Sequence, residues 1–563
     1  MEKKWLHAYP QGTPGEIDAS AFRSLVDIFD DSCRRFGDRP AYHNMGTTLS
    51  FAELERLSRD FGAHLLAQGL TRGDRIALMM PNVLQYPIAL FGALRAGLTV
   101  VNTNPQYTPR ELRHQLRDSG ARAIVVLENF AHVFAQVRAD TQVTHVITAA
   151  MGDLARLPKR LAVNFVVRRV KHLVPPFELP GALTFRQALA QGARCDFQPP
   201  PVNADDSAFV QYTGGTTGVA KGAVLTHRNM VANLLQMAAF WRKLLEPGRE
   251  VIITPLPLYH VFCLTCNCLL FMRLGGLNVL ITNPRDIPGF VSELGRWRFS
   301  LITGVNTLYN ALLAHPRFAH LDFSQLKLGV AGGMALHPSV AERWQRITGK
   351  PLVEGYGLTE ASPVVACNPF DAPQVGTVGV PLPSTEISIR EAHGQGEVPP
   401  GEPGELCVRG PQVMHSYWNR PDETRATYTP DGWLRTGDIA VATEEGFLRI
   451  VDRIKDLIIV SGFKVFPNEI EAVVGEHPAV LECGCIGVAD ARSGQAVKIF
   501  VVMREGQTVT AEELLEHCRK RLTAYKVPRY VEFRDSLPKT NVGKILRREL
   551  MQEESARAGR SAA

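Results

Sequence analysis

The chain has 563 residues, 45% of them apolar and 21% charged, with a formal net charge of +6. That balance belongs to an ordinary folded protein and excludes a disordered or fibrous one, and the length allows a large core and more than one domain. So small a basic excess, without zinc-ligand spacing or a continuous basic helix, gives no ground for a nucleic-acid partner and suits small anionic ligands equally well.

Helical periodicity comes first, in FRSLVDIFDDSCRRFG and in FAELERLSRDFGAHLLAQG, where Gly69 reads as a helix stop. Short apolar runs follow (RIALMM, ARAIVVL and THVITAA, then VIITPLP, LNVLI and LKLGVAGG), alternating with helical segments in the rhythm of an α/β sheet with crossover helices. The uncharged stretch from Val251 to Met272 holds Pro255, Pro257, His260 and Asn267, which fit a strand, a turn and a buried helix better than a membrane span. Cys263, Cys266 and Cys268 lie in that stretch and are expected to be buried thiols, since a chain this long needs no disulfide framework.

After about residue 370 the texture changes to short strands and tight turns, a β-rich subdomain. Another unit begins near Asp452, so the chain divides into residues 1–452 and a small α+β body over 453–563. Its last residues, MQEESARAGRSAA, lack an apolar stripe and are expected to fray. The opening MEKKWLHAYPQG has no apolar signal core, which points to a cytoplasmic setting.

The sharpest local motif is YTGGTTGVAKG, Tyr212 to Gly222. Gly214, Gly215 and Gly218 let backbone N–H groups crowd an anion, Thr213, Thr216 and Thr217 add hydroxyl donors, and Lys221 adds a mobile positive charge. The loop suits a polyphosphate, yet it is neither a Walker A loop nor a dinucleotide fingerprint. In EGYGLTE, Tyr356 can stack on a flat base between Gly355 and Gly357, Thr359 can donate, and Glu360 offers the hard oxygen that Mg²⁺ prefers. Asp438 can accept from vicinal hydroxyls and Arg453 presents a rigid fork of donors.

Over essentially its whole length the sequence resembles the acyl- and aryl-adenylate-forming ligases, in particular the bacterial long-chain fatty-acid–CoA ligases. Their loop commonly has Ser where Gly214 stands here. The resemblance implies a large adenylation domain of several subdomains and a small mobile C-terminal domain, with ATP, Mg²⁺ and coenzyme A as co-substrate. It implies adenine packing at Tyr356, α-phosphate contact at Thr359, metal at Thr216 and Glu360, and ribose contacts at Asp438 and Arg453. By the same resemblance His260 and Gly332 border the acyl site and Gly333 lies between acyl tail and adenine. Lys544 bridges carboxylate and phosphate, Lys455 is the hinge, and Gly462 opens the pantetheine channel beside Ser461, Phe463 and Lys464.

A medium-chain or aryl acid–CoA ligase, or a ligase feeding a carrier protein, shares most of these motifs. A homodimer is left open. The segment LARLPKRLAVNFVVRRVKHLV interleaves Arg156, Lys159, Arg160, Arg168, Arg169 and Lys171 with apolar residues. It reads either as a face resting on the anionic inner membrane or as a solvated face over a core element.

Overall fold

The apolar runs become the strands of four sheets. The computed structural model describes residues 3–213, 220–391, 396–490, 492–540 and 543–561. In one sheet Arg75–Met79 runs parallel to Thr99–Asn102 and Ala123–Leu127, and Ala123–Leu127 runs parallel to His145–Ala149. At its other side Ser207–Thr213 turns back antiparallel into Lys221–Thr226, which pairs with the short strand Ser416–Tyr417. The crossover helix Gln85–Arg95 is buried along nearly its whole length and packs against the helix Phe51–Ala67, on which Ser50 and Glu53 form a reciprocal cap.

A second sheet of nine strands has the parallel series Leu277–Leu280, Val251–Thr254, Leu301–Gly304, Leu328–Ala331 and Leu352–Gly357. The register aligns Gly304 with Ala331 and Ala331 with Glu354. Val305, the Gly332–Gly333 pair and the Tyr356–Glu360 segment therefore lie together at the carboxyl ends of these strands, Tyr356 still pairing with Ala366. Clefts outside the carboxyl ends of parallel strands are where α/β sheets bind ligands.

The stretch from Val251 to Met272 forms the strand Val251–Thr254, a turn and buried helical segments spanning Val261–Leu274, the middle of them a π-helix. Cys263, Cys266 and Cys268 are buried free thiols there. Among the described residues no helix is long and apolar enough to cross a membrane.

The β-rich texture after residue 370 becomes an antiparallel sheet of Glu386–Arg390, Gly404–Arg409, Leu434–Ala442 and Leu448–Arg453. The final body has its own sheet, built on the long pair Val480–Asp490 and Gly494–Met503, and its own core around Ile458, Val465, Ile470, Ile499 and Leu514. The architecture is thus mixed α/β, with a large N-terminal part and a small C-terminal one.

The C-terminus differs from expectation: Arg547–Ser561 is helical rather than frayed. Leu550 is buried against this sheet, and charged pairs replace the missing apolar stripe. Glu554 takes Lys498 at 2.8 Å, Glu553 takes Arg534 at 2.6 Å, and Arg557 reaches Glu532 at 2.8 Å.

Candidate active site

The Gly- and Thr-rich motif is flanked on both sides by residues with defined partners. Thr213 and Lys221 face each other as the last register pair of their hairpin, and residues 214–219 lie outside the described residues, taking Gly214, Gly215, Thr216, Thr217 and Gly218 with them. His114 contacts the Ala220 carbonyl at 3.0 Å, and Tyr212 donates to Asp118 at 2.7 Å, a carboxylate also held by Arg420 at 2.6 Å. Arg110, Arg113, His114 and Arg117, with Asp118 and Arg420, line an open cleft beside this hairpin. So many guanidinium groups in one concavity favour a multiply charged anion.

Glu360 sits in the short turn Thr359–Ala361, which Thr359 begins. Its carboxylate accepts from the Tyr417 hydroxyl at 2.6 Å, and its carbonyl accepts from the Met414 amide at 2.7 Å. Tyr417 pairs with Ala223 just beyond the loop, and the Lys221 ammonium lies 5.4 Å from its ring centroid. Tyr417 thereby joins the loop lysine to the proposed metal carboxylate. No spacing in MHSYWN announces it, because the contact depends on pairing between distant stretches of chain.

Asp438 and Arg453 are opposite one another across Leu434–Ala442 and Leu448–Arg453. Asp438 takes Tyr356 at 2.6 Å on one oxygen and Arg453 at 3.0 Å on the other. Burial and the neighbouring Asp438 carboxylate raise the Tyr356 phenol, so it stays a hydrogen-bond donor. The Tyr356 ring, the Asp438 carboxylate and the Arg453 guanidinium are therefore one preorganised unit.

His260 caps the helical turn after the strand Val251–Thr254, its Nδ1 accepting from the Phe262 amide at 3.4 Å. Burial lowers its imidazole to about 4, so the ring is neutral at pH 7. Phe262 closes on Gly332: a Cβ there would stand 3.0 Å from its ring. Gly333 has φ +78°, which glycine alone adopts without strain.

Lys544 reaches this cleft because its own loop docks beside it. A Cβ on Gly543 would lie 2.8 Å from the Thr307 hydroxyl and 3.4 Å from Val305, and Val305 also borders Gly333 at 4.0 Å. Burial lowers the Lys544 ammonium to about 8, Arg453 and Arg547 push in the same direction, and Asp438 and Asp456 oppose it. The loop is closed on itself by the Thr540 amide donating to the Lys544 carbonyl at 2.7 Å.

Lys455 lies in the exposed turn Ile454–Asp456 between two strands. Gly462, with φ +86°, is at an exposed hairpin tip beside Phe463, whose ring stacks on Tyr525 at 4.7 Å. A Cβ on Gly462 would meet nothing within 4 Å, whereas the turn that holds Lys455 packs against the strand Leu434–Ala442 that carries Asp438. Arg547, which reads in sequence as part of a solvated basic run, is instead partly buried and paired with Asp452, Asp456 and Glu471 at 3.1, 3.1 and 2.6 Å.

Sequence reasoning also passed over Glu354. Burial pushes its carboxyl up to about 8, against a hydrogen bond from the Leu336 amide that lowers it. Folding then binds a proton that the unfolded chain releases near the ordinary value, so this group weakens stability progressively as pH rises from about 4.5 to 8. Glu354→Gln is expected to melt about 1–2 °C above wild type at pH 8, with the gap closing by pH 5, in paired thermal scans. An equal gap at both pH values would contradict a neutral buried carboxyl.

The family described as AMP-binding enzyme matches residues 29–418, and the AMP-binding enzyme C-terminal domain matches residues 469–544. A long-chain-fatty-acid–CoA ligase of Yersinia pestis is 58% identical over 98% of both chains, and one of Bacillus subtilis is 38% identical over 98% of both. The crystal structure of ATP-bound MatB from Rhodopseudomonas palustris, 28% identical, covers 94% of this chain and 98% of its own with a TM-score of 0.81. Family profiles over both parts and full-length relatives at this identity make one conclusion plain: the chain belongs to the AMP-binding enzyme family.

Proposed function

We propose that the protein is a long-chain fatty-acid–CoA ligase, converting fatty acid, ATP and CoA into acyl-CoA, AMP and pyrophosphate through an acyl-adenylate. The observation that carries the reading is the convergence of Tyr356–Asp438–Arg453 and Lys544 on the strand ends that also bear Gly332, Gly333 and Glu360. The full-length likeness to enzymes of that name supplies the substrate class.

In the first half-reaction a carboxylate oxygen bonds to the α-phosphorus and the bond to pyrophosphate breaks. Two anions must approach, so the Lys544 ammonium offsets their repulsion and positions both; no base is needed, because a fatty carboxylate is already ionised. Tyr356 packs the adenine, Asp438 and Arg453 hold the ribose, Thr359 donates to the α-phosphate, and Thr213 and Lys221 serve the outer phosphates together with residues 214–218. His260 and Gly332 leave a neutral, narrow wall for the carboxyl end of the acid, and Gly333 gives room between the chain and the base.

Glu360 fits Mg²⁺, a hard ion that takes one or two carboxylates plus substrate phosphates and water; Glu360 with Thr216 would hold it. When bound, the ion neutralises phosphate charge. In the second half-reaction the CoA sulfur bonds to the acyl carbon with loss of the thiol proton, and AMP leaves. We assign residues 453–563 as the moving domain, with Lys455 at its hinge and Gly462 as the face that replaces Lys544. The cleft of Arg110, Arg113, Arg117 and Arg420 is where the phosphates of CoA would dock. Long acids partition into bilayers, and we place the enzyme in peripheral contact with the cytoplasmic membrane.

The test is ATP–pyrophosphate exchange with acids from acetate to oleate, followed by thioester detection with CoA. Exchange should rise with chain length, each buried methylene adding about 0.8 kcal/mol. Exchange with aryl acids alone, or acyl transfer only to a carrier protein, would overturn the assignment.

A further inference from the structure

Exposed large apolar side chains concentrate in one place on this molecule. Leu157, Leu161, Phe165, Val170 and Leu173 are each 50% to 61% exposed, and all belong to or flank the helix Lys159–Phe165 and its π-helical continuation Val166–Val170. Leu157, Leu161 and Phe165 are four residues apart and Val166 and Val170 repeat the spacing, so they form one outward stripe.

The helix is turned inside out relative to an ordinary surface helix. Its inward contacts include polar ones: Asn164 accepts from the Gly152 amide at 2.8 Å, and Arg168 makes a forked pair with the buried Glu128. Arg168 is thus an internal tether and not part of any basic rim. Val167 is buried, and Lys159 and Val163 roof a cleft whose floor includes Leu84 and Met151.

From Arg156 to Leu173 there are six basic residues and no acidic one. Once Arg168 is set aside, Arg156, Arg160, Arg169 and Lys171 flank the apolar stripe, and among the described residues none of these four makes an ion pair. An apolar stripe bordered by unneutralised cations matches the layering of an anionic leaflet, with acyl chains below and negative headgroups above. A protein partner would need a complementary acidic collar around an apolar groove, whereas a lipid surface supplies both by its own structure.

We propose that the outward face of residues 157–173 is the docking surface for an anionic lipid bilayer, with Leu161, Phe165 and Val170 entering the interface and Arg156, Arg160, Arg169 and Lys171 held at the headgroups. This deepens the peripheral membrane contact proposed above and rests on it. The Arg168–Glu128 and Asn164–Gly152 contacts tie the docked helix to the enzyme body.

The test is co-sedimentation of the full-length protein with phosphatidylcholine vesicles and with vesicles also containing phosphatidylglycerol. Wild type should bind the anionic vesicles, and added salt should weaken that binding. Leu161→Ser/Phe165→Ser/Val170→Ser should lower the partition coefficient about tenfold or more. Arg156→Gln/Arg160→Gln/Arg169→Gln/Lys171→Gln should erase the preference for phosphatidylglycerol. Both variants should keep wild-type melting and wild-type activity on octanoate without vesicles, which separates lost docking from lost folding. If wild type binds and the apolar variant binds equally, this face is not the dock although the membrane contact stands. Failure of wild type to bind either vesicle overturns the membrane contact itself. A lipid-free dimer that the apolar variant dissociates would assign the face to a second copy and overturn the proposal.

Discussion

Lys544→Ala is expected to lower ATP–pyrophosphate exchange about 100- to 1,000-fold, the usual effect of removing one preorganised charge from a developing anion. Thioester formation from supplied oleoyl-adenylate should change little, because that step no longer brings two anions together. The same lysine sets an alkaline limit. Its ammonium is lowered to about 8 by burial and by Arg453 and Arg547, so the charged form predominates at neutral pH and is lost as pH rises. In wild type, kcat/KM for exchange should fall about tenfold per pH unit above about 8, since that ratio reports the free enzyme. Lys544→Arg keeps its charge at higher pH, so its profile should lose the alkaline fall even where its absolute rate is reduced by the different reach and planarity of guanidinium. Full exchange by the alanine variant, or an alkaline fall unchanged in the arginine variant, would remove Lys544 from the reaction.

How much of this was readable beforehand depends on whether a residue acts through its neighbours in sequence or across the fold. The strand rhythm of RIALMM, ARAIVVL and LKLGVAGG survives folding because each run is a buried parallel strand, apolar on both faces. EGYGLTE delivers Tyr356 and Glu360 because one strand end and one short turn place them. Tyr417 and Glu354 were illegible for opposite reasons. Tyr417 matters only because the strand Ser416–Tyr417 pairs with Lys221–Thr226. Glu354 opens the EGYGLTE motif with nothing in its sequence neighbours to show the burial that keeps it neutral. The terminal helix was misjudged since its stability comes from ion pairs with Lys498, Glu532 and Arg534, which no apolar periodicity encodes. Apolar and basic residues interleave over 157–173 in the sequence, but only the tertiary contacts of Asn164 and Arg168 decide which side faces out.

Arg547→Ala is expected to be the most destabilising single change in the C-terminal body, by about 3–5 kcal/mol, because it leaves buried carboxylates without their counter-charge. The guanidinium binds Asp452, Asp456 and Glu471 together, and also Asn468. It thereby ties the strand end before the proposed hinge, the residue after the hinge and the first helix of the body to the start of the terminal helix. Asp452 is fully buried, and burial already raises its carboxyl against the pull of Arg547. Without the arginine, protonation is the cheapest relief. The deficit of the variant should therefore shrink as pH is lowered from 7 toward 5, the opposite of what loss of an apolar contact would give. Urea unfolding at the two pH values, or amide exchange over residues 454–475, reads the effect. Arg547→Lys should recover only part of it, since a single ammonium cannot fork among three carboxylates. The functional signature also differs from that of Lys544. Arg547 stands three residues beyond Lys544, so its loss should lower exchange and thiolation together as the body loosens, whereas Lys544→Ala is expected to lower exchange alone. An Arg547→Ala protein with the denaturation midpoint of wild type would mean that the carboxylates around it are solvated in solution and that the terminal helix is held by Leu550 and its surface pairs instead.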